Sequence, residues 1–300
     1  MAKRPKPVQQ MTEAQFEAIF PAGDEDACKR YLVARRWPNG VYCPRCGAVK
    51  VFPVGSMPFK WQCYACAPDQ GYRFSHIAGT IFENTNKPLR QWFKVVHLML
   101  TSKKGISALQ IKRHMGFGSY ETAWGMCHKI RAALVEPETK LGGIVEVDET
   151  FIGGKAINKH GKRSGVAGGA AGKTPIIGAV QRKGNVVTRV LAKVTKESAQ
   201  SFVREVVSNK VSLLATDQSN VYRSLSGYPH QTVDHHRGEY VVGAVHTNTI
   251  EGFWSIFKRG IVGSFHKVSA KYMPLYVAEF QFRYNNRFNA DIFGTAIEGC

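Results

Sequence analysis

The chain reads as a mixed α/β domain placed behind two smaller modules, a metal-bearing ribbon and a helical region. Three observations predict this. Two Cys-x-x-Cys pairs stand within the first 70 residues, apolar spacing of helical period runs from about Pro88 to Leu134, and short β-rich runs alternate with helical ones after Gly142-Gly143. Three hundred residues, 44% hydrophobic and 21% charged, are enough for such cores and do not suggest disorder.

Thr12 followed by Gln15 makes a capping box for a short helix ending at Phe20-Pro21, and a second helical pattern runs from Asp24 to Trp37 before Pro38-Asn39-Gly40 stops it. These form an N-terminal helical segment, 1–38. Cys43, Cys46, Cys63 and Cys66, with 16 residues between the pairs, have the spacing of a tetrathiolate zinc site, so 39–82 reads as a zinc ribbon holding one structural Zn2+. Cys28, Cys127 and Cys300 stand alone, which argues against a disulfide framework. The ribbon's Phe59, Lys60, Trp61, Tyr64, Tyr72, Arg73 and Phe74 could stack on nucleic acid or fill a small core.

In 86–136, Ile106, Leu109 and Ile111 on one helix, the turn Gly116-Phe117-Gly118 and a second helix suggest a helix-turn-helix. Trp124 and Ile130 would face inward, and Tyr120, Lys129 and Arg131 would face DNA; the plainer reading is a helical hairpin.

The third region, 143–290, begins with the strand Ile144 to Glu149. A Gly- and Lys-rich loop follows, then the strands Pro175 to Gln181 and Val186 to Val194 across a Lys183-Gly184-Asn185 turn. Thr195 caps a helix to about Asn209, Val211 to Ala215 form a buried strand, a short helix lies near Tyr222, and Thr232 to His235 make a fifth strand. A helix begins near His246, and another spans Tyr272 to Arg287. The order β-β-β-α-β-α-β-α is that of a ribonuclease-H-like fold, a mixed five-stranded sheet with helices on both faces.

A formal net charge of +19 points to a polyanionic partner. No apolar run approaches the roughly 18 residues of a membrane span, and MAKRPKPVQQ lacks a signal-peptide core, so an intracellular protein with no membrane partner is expected. The loop residues Lys155, Lys159, Lys162, Arg163 and Lys173, with His160, would grip a phosphate backbone.

Asp148 and Asp217 each lie at or near a strand end, and in this fold order their strands are neighbours. Glu251 follows Asp217 by 34 residues in the first turns of a helix, with Lys258 two turns later on the same face. Any one of these acids alone reads as a turn or cap residue. Together they suit two hard divalent cations, Mg2+ or Mn2+, and in-line phosphoryl transfer. Asn248, one turn before Glu251, stands as an alternative or adjunct ligand, and His246 as a substrate contact or a helix-start hydrogen bond. Glu149 is expected to point away from the cluster by strand alternation.

The stretches VEVDETFIGGK, LLATDQSNVY and HTNTIEGFWSIFKRGIVGSFH resemble the catalytic blocks of bacterial insertion-sequence DDE transposases that carry an N-terminal zinc ribbon, relatives of the eukaryotic Merlin elements. The resemblance continues through SAKYMPLYVAEFQFRYNNR, RWPNGVYCPRCG and GTIFENTNKPLRQWF, nearly the whole chain. It implies a DNA transposase that binds element ends, cleaves phosphodiester bonds and transfers strands. Asp148, Asp217 and Glu251 would be its metal-binding acids, Lys258 would contact DNA near the reacting phosphate, and Arg259 would add a further DNA contact. The implied partners are double-stranded DNA, as terminal inverted repeats and target, and further copies of the chain in a homodimer or larger assembly. The implied location is the bacterial cytoplasm, at the nucleoid. The alternatives are a DNA-binding regulator with an inactive catalytic domain and a metal-dependent nuclease of the same fold.

Overall fold

The computed structural model of the protein describes residues 10–153, 172–223, 225–233 and 246–300. The chain forms two compact units, one comprising everything up to Leu134 together with Arg287–Cys300, the other Val135–Asn286.

In the first unit, α1 (Glu13–Ile19) starts with the expected capping box: Gln15 N donates to Thr12 Oγ1 and Thr12 N to Gln15 Oε1. α2 (Glu25–Arg36) is capped by Asp24, whose side chain accepts from Ala27 N at 2.9 Å. The short strands β1 (Phe52–Pro53), β2 (Lys60–Cys63) and β3 (Tyr72–Ser75) form an antiparallel ribbon. Its own apolar side chains are few, and its core takes in Trp37 from just beyond α2. The N-terminal helices and the ribbon, read separately from sequence, therefore share packing.

Three helices follow as expected: α3 (Leu89–Thr101), α4 (Ala108–Met115) and α5 (Tyr120–Ala133). Gly116, in the left-handed region at φ 66°, ends α4, and Ser119 caps α5. A last helix, α9 (Ile292–Gly299), was not expected. Its Phe293 joins Phe16, Phe20, Tyr31 and Phe93 in one ring cluster, which ties this end of the chain to the first unit.

The second unit is built on a five-stranded sheet of β4 (Ile144–Ile152), β5 (Thr174–Gln181), β6 (Val186–Val190), β7 (Leu213–Asp217) and β8 (His230–Val233), in the order β6-β5-β4-β7-β8. β4, β5 and β6 pair antiparallel as the expected meander, while β7 and β8 run parallel to β4. The mixed sheet and its helices are consistent with the ribonuclease-H-like class. β5 is apolar along nearly its whole length because both its faces are covered. Ile177 and Ala179 face α6 (Lys196–Val206) with Phe202, Val203 and Val206. Ile176 and Val180 face α7 (Asn248–Gly260) and α8 (Met273–Asn285) with Ile250, Phe253, Trp254 and Phe280. Outward backbone groups of the edge strand β6 meet side chains of α8. Val186 N donates to Asn285 Oδ1 and Thr188 N to Gln281 Oε1, each at 2.8 Å, and Asn285 Nδ2 donates to Val186 O at 3.0 Å.

Two expectations in the helical region are corrected. Arg131, expected to face DNA, is 1% exposed, because α5 turns that side toward the core alongside Ile130. Ile106, expected on one helix with Leu109 and Ile111, precedes α4; it and Ile111 are buried, while Leu109 is 44% exposed. Among the described residues no helix is long and apolar enough to cross a membrane.

Candidate metal centres

The ribbon brings its four cysteines together. Their sulfurs all lie within 4.8 Å of one another, with Cys43 and Cys66 3.9 Å apart and Cys46 and Cys63 3.7 Å apart. A tetrahedral zinc at about 2.3 Å from each sulfur would space them roughly 3.8 Å apart. The separations far exceed the roughly 2.05 Å of a disulfide bond. The residues present therefore fit a structural Zn2+. Trp61, Tyr72 and Phe74 stack with Trp37 against this cluster, so the core reading holds for them, whereas Tyr64 and Phe52 form an exposed ring pair.

The second centre lies midway along β4, beside the end of β7. β4 runs on to Ile152 against β5, so Asp148 is not at a strand end as expected, whereas Asp217 is. The parallel register Glu146↔Ala215, continued by two residues, sets Asp148 beside Asp217. Both side chains leave the sheet where β7 ends, and Ser219 N, in the turn beyond, donates to Asp217 Oδ1 at 3.1 Å. Glu149 joins them: carboxylate oxygens of Asp148, Glu149 and Asp217 lie within 4.8 Å of one another. This corrects the expectation that alternation takes Glu149 out of the site. Its backbone does face the α6 side, where its Oε1 accepts from the Tyr222 hydroxyl at 2.6 Å. β7, however, ends level with Asp148, so no strand separates the two faces beside Glu149.

Glu251 is exposed on α7, and Thr247 Oγ1 donates to its Oε1 at 2.7 Å. It stands outside the three-carboxylate group, yet both it and Lys258 act on Asp148. Burial first, then the charges of Asp217 and Glu251, push the Asp148 carboxyl up to about 7, against the opposing effects of the Glu149 amide and the Lys258 ammonium. Burial, with the charges of Asp217 and Asp148, likewise holds Glu149 at about 7 although the Tyr222 hydroxyl opposes this. Tyr222 is itself pushed well above its ordinary value by burial and by Glu149.

α7 is fitted closely to the sheet. Gly178 of β5 is paired with Asp148, and a Cβ there would meet Trp254 ring carbons at 2.7 and 2.9 Å, so only glycine lets the indole lie against the strand. Glu146, fully buried two residues before Asp148, bonds the first turn of α7. The sequence reading passed over Glu146, Tyr222, Gly178 and Arg182. A signal existed for Glu146, since a charged residue shares the parity of Asp148 in an otherwise apolar strand. His246 Nδ1 lies 3.2 Å from Glu146 Oε1 without hydrogen-bond alignment. Asn248, Lys258 and Arg259 are exposed on α7, Lys129 is exposed on α5 with its ammonium 5.9 Å from the Trp92 ring centre, and Lys173 is half-buried at the start of β5. Lys155, Lys159, Lys162 and Arg163 lie outside the described residues.

The carboxyl values set a pH dependence. Asp148 and Glu149 hold protons up to about pH 7 when folded, against ordinary values of 3.8 and 4.5. Folding therefore takes up protons in that window, and the stability of metal-free protein should fall as pH rises from about 4 to about 7. Thermal melts at stepped pH should show this slope. Asp148→Asn should flatten it, and millimolar Mn2+ should reverse part of it; a wild-type profile matching that of Asp148→Asn would refute the assignment.

Comparison with known proteins agrees with these features. Residues 140–285 match the family model of the ISXO2-like transposase domain, and residues 23–68 that of the transposase zinc-ribbon domain. An uncharacterized protein in transposable element ISH50 of Halobacterium salinarum is 30% identical over 265 residues, covering 84% of this chain and 88% of that protein. A chain of the simian T-cell lymphotropic virus intasome in complex with PP2A regulatory subunit B56 gamma matches at 14% identity and a TM-score of 0.30. That match covers 58% of this chain and 63% of the other, too distant a likeness to bear on the site. With both modules matched and a relative aligned over most of its length, the chain belongs to the IS1595 family of insertion-element transposases.

Proposed function

We propose that the protein cuts DNA at the ends of its element and joins them to target DNA, by in-line phosphoryl transfer at Asp148, Asp217 and Glu251. The carrying observation is the convergence of carboxylates from the middle of β4 and the end of β7, with Glu251 and Lys258 of α7 close enough to act on Asp148. Left empty, such a group holds protons above the usual carboxylate range; filled, it suits two Mg2+ or Mn2+ ions. When bound, that pair supplies activation of the attacking oxygen and stabilisation of the leaving one.

Asp148 and Asp217 share the metal site, Glu251 completes it from α7, and Glu149 and Asn248 are adjunct ligands. Lys258 and Arg259, exposed seven and eight residues after Glu251, neutralise the phosphate near the reacting bond, and His246, at the other end of α7, is a further substrate contact. DNA is held by the helix-turn-helix of α4 and α5, through exposed Arg113, His114 and Lys129, and by Lys155, Lys159, Lys162, Arg163 and Lys173. The working form is a homodimer or larger assembly on DNA, in the bacterial cytoplasm at the nucleoid.

Incubating the protein with Mg2+ and labelled element-end duplex should yield products longer than the substrate, formed by joining, as well as nicked strands. Nicks without joined products would make it a nuclease. Specific binding with neither product would make it a regulator with an inactive catalytic domain.

A further inference from the structure

We propose that Glu146 is a positioning residue, which fixes the distance between Glu251 and Asp148 by capping the helix that carries Glu251. This rests on the reading of Asp148, Asp217 and Glu251 as a metal site.

Helix α7 has no side-chain cap of its own: its N-cap residue, Thr247, spends its hydroxyl on Glu251. The amides of its first turn are satisfied from the sheet instead. Thr249 N donates to Glu146 Oε2 at 2.8 Å and Ile250 N to the same oxygen at 3.1 Å. The other oxygen, Oε1, accepts from Thr249 Oγ1 at 2.9 Å and from Arg182 Nε at 2.6 Å. Arg182 then reaches on, its Nη2 donating to the carbonyl of His246 at 2.9 Å. One carboxylate and one guanidinium thus clasp the backbone on both sides of the helix start.

A local Ser, Thr or Asn could cap α7 without burying a charge, and a fully buried carboxylate carries a large desolvation cost that a stable fold does not require. What Glu146 adds is location. It precedes Asp148 by two residues on the same face of a strand held on both sides, and the amides it binds immediately precede Glu251. Asp148 and Glu251 are therefore joined by a link of two strand residues, a pair of short hydrogen bonds and one helix residue, none of which can lengthen freely. The Trp254 indole seated over Gly178 fixes the same helix one turn further on and stops it pivoting about that link.

Glu146→Gln keeps the shape and one good acceptor but removes the charge that holds Arg182. Mn2+ binding to the purified full-length chain, followed by paramagnetic resonance, should weaken about 10- to 100-fold, the range typical for partners that orient metal ligands. The melting profile should remain cooperative, and affinity for element-end DNA should be unchanged. Asp148→Ala is the control for the underlying reading. If it leaves Mn2+ binding at the wild-type level, the metal site itself is wrong; if it abolishes binding while Glu146→Gln binds as wild type, the positioning role is wrong. Should Glu146→Gln fail to fold, Thr249→Val, which removes only the hydroxyl contact, decides the matter. A several-fold weaker Mn2+ affinity supports the proposal and an unchanged one overturns it.

Discussion

Alanine at Asp148, Asp217 or Glu251 is expected to reduce strand transfer by roughly 10^3-fold or more, with the triple substitution little worse than any single one. The effects should not add, because each change removes a ligand from one shared centre and the reaction needs the centre whole. Binding to element ends should survive, and it should tighten slightly where loss of a carboxylate relieves repulsion of phosphate. Glu149→Ala and Asn248→Ala are expected to cost about tenfold each, clearly less than Glu251→Ala. The comparison matters because Glu149, not Glu251, is the acid that closes within 4.8 Å of both aspartates. Substantial activity in Glu251→Ala, with loss in Glu149→Ala or Asn248→Ala, would move the third ligand to that residue. Joining by all three single carboxylate mutants would end the proposed mechanism.

Removing zinc should have the largest structural effect. The ribbon has strands of two, four and four residues, and its buried cluster is Trp37, Cys43, Cys63, Phe74 and Ala78. So small a core cannot offset the chain entropy of ordering it, whereas a tetrathiolate zinc contributes on the order of 10 kcal/mol. Freshly purified protein should carry about one zinc per chain. Chelation, or Cys43→Ser, should abolish hydrogen-exchange protection across 43–75 and shift the emission of Trp37 and Trp61 to the red. The sheet of the second unit should keep its protection. Zinc-free protein with an intact ribbon signal would show the metal assignment to be wrong.

Much of this was legible in sequence because it depends on local pattern. The capping box at Thr12, the cysteine spacing and the alternation around Asp148 each require only near neighbours, and the strand order then brings Asp148 beside Asp217. What was missed depends on where elements stop. Alternation gives the direction of the Glu149 Cβ correctly, but it says nothing of where β7 ends, and that decides whether the carboxylate can reach round. Arg131 was missed for a different reason: helical period fixes its angle relative to Ile130, but the direction of the core comes from tertiary packing, which here buries both. Gly178 could not be interpreted without knowing that an indole of a helix more than 70 residues later lies over it.

The side-chain amides of Gln281 and Asn285 occupy the outward donors of β6 at Thr188 and Val186. An incoming strand would have to displace both before it could pair there, so this margin of the sheet is closed to recruitment by another copy through main-chain pairing. Copies at high local concentration are thereby protected at this margin from fusing into a continuous sheet. At this margin, contact between copies has to be made through side-chain surfaces.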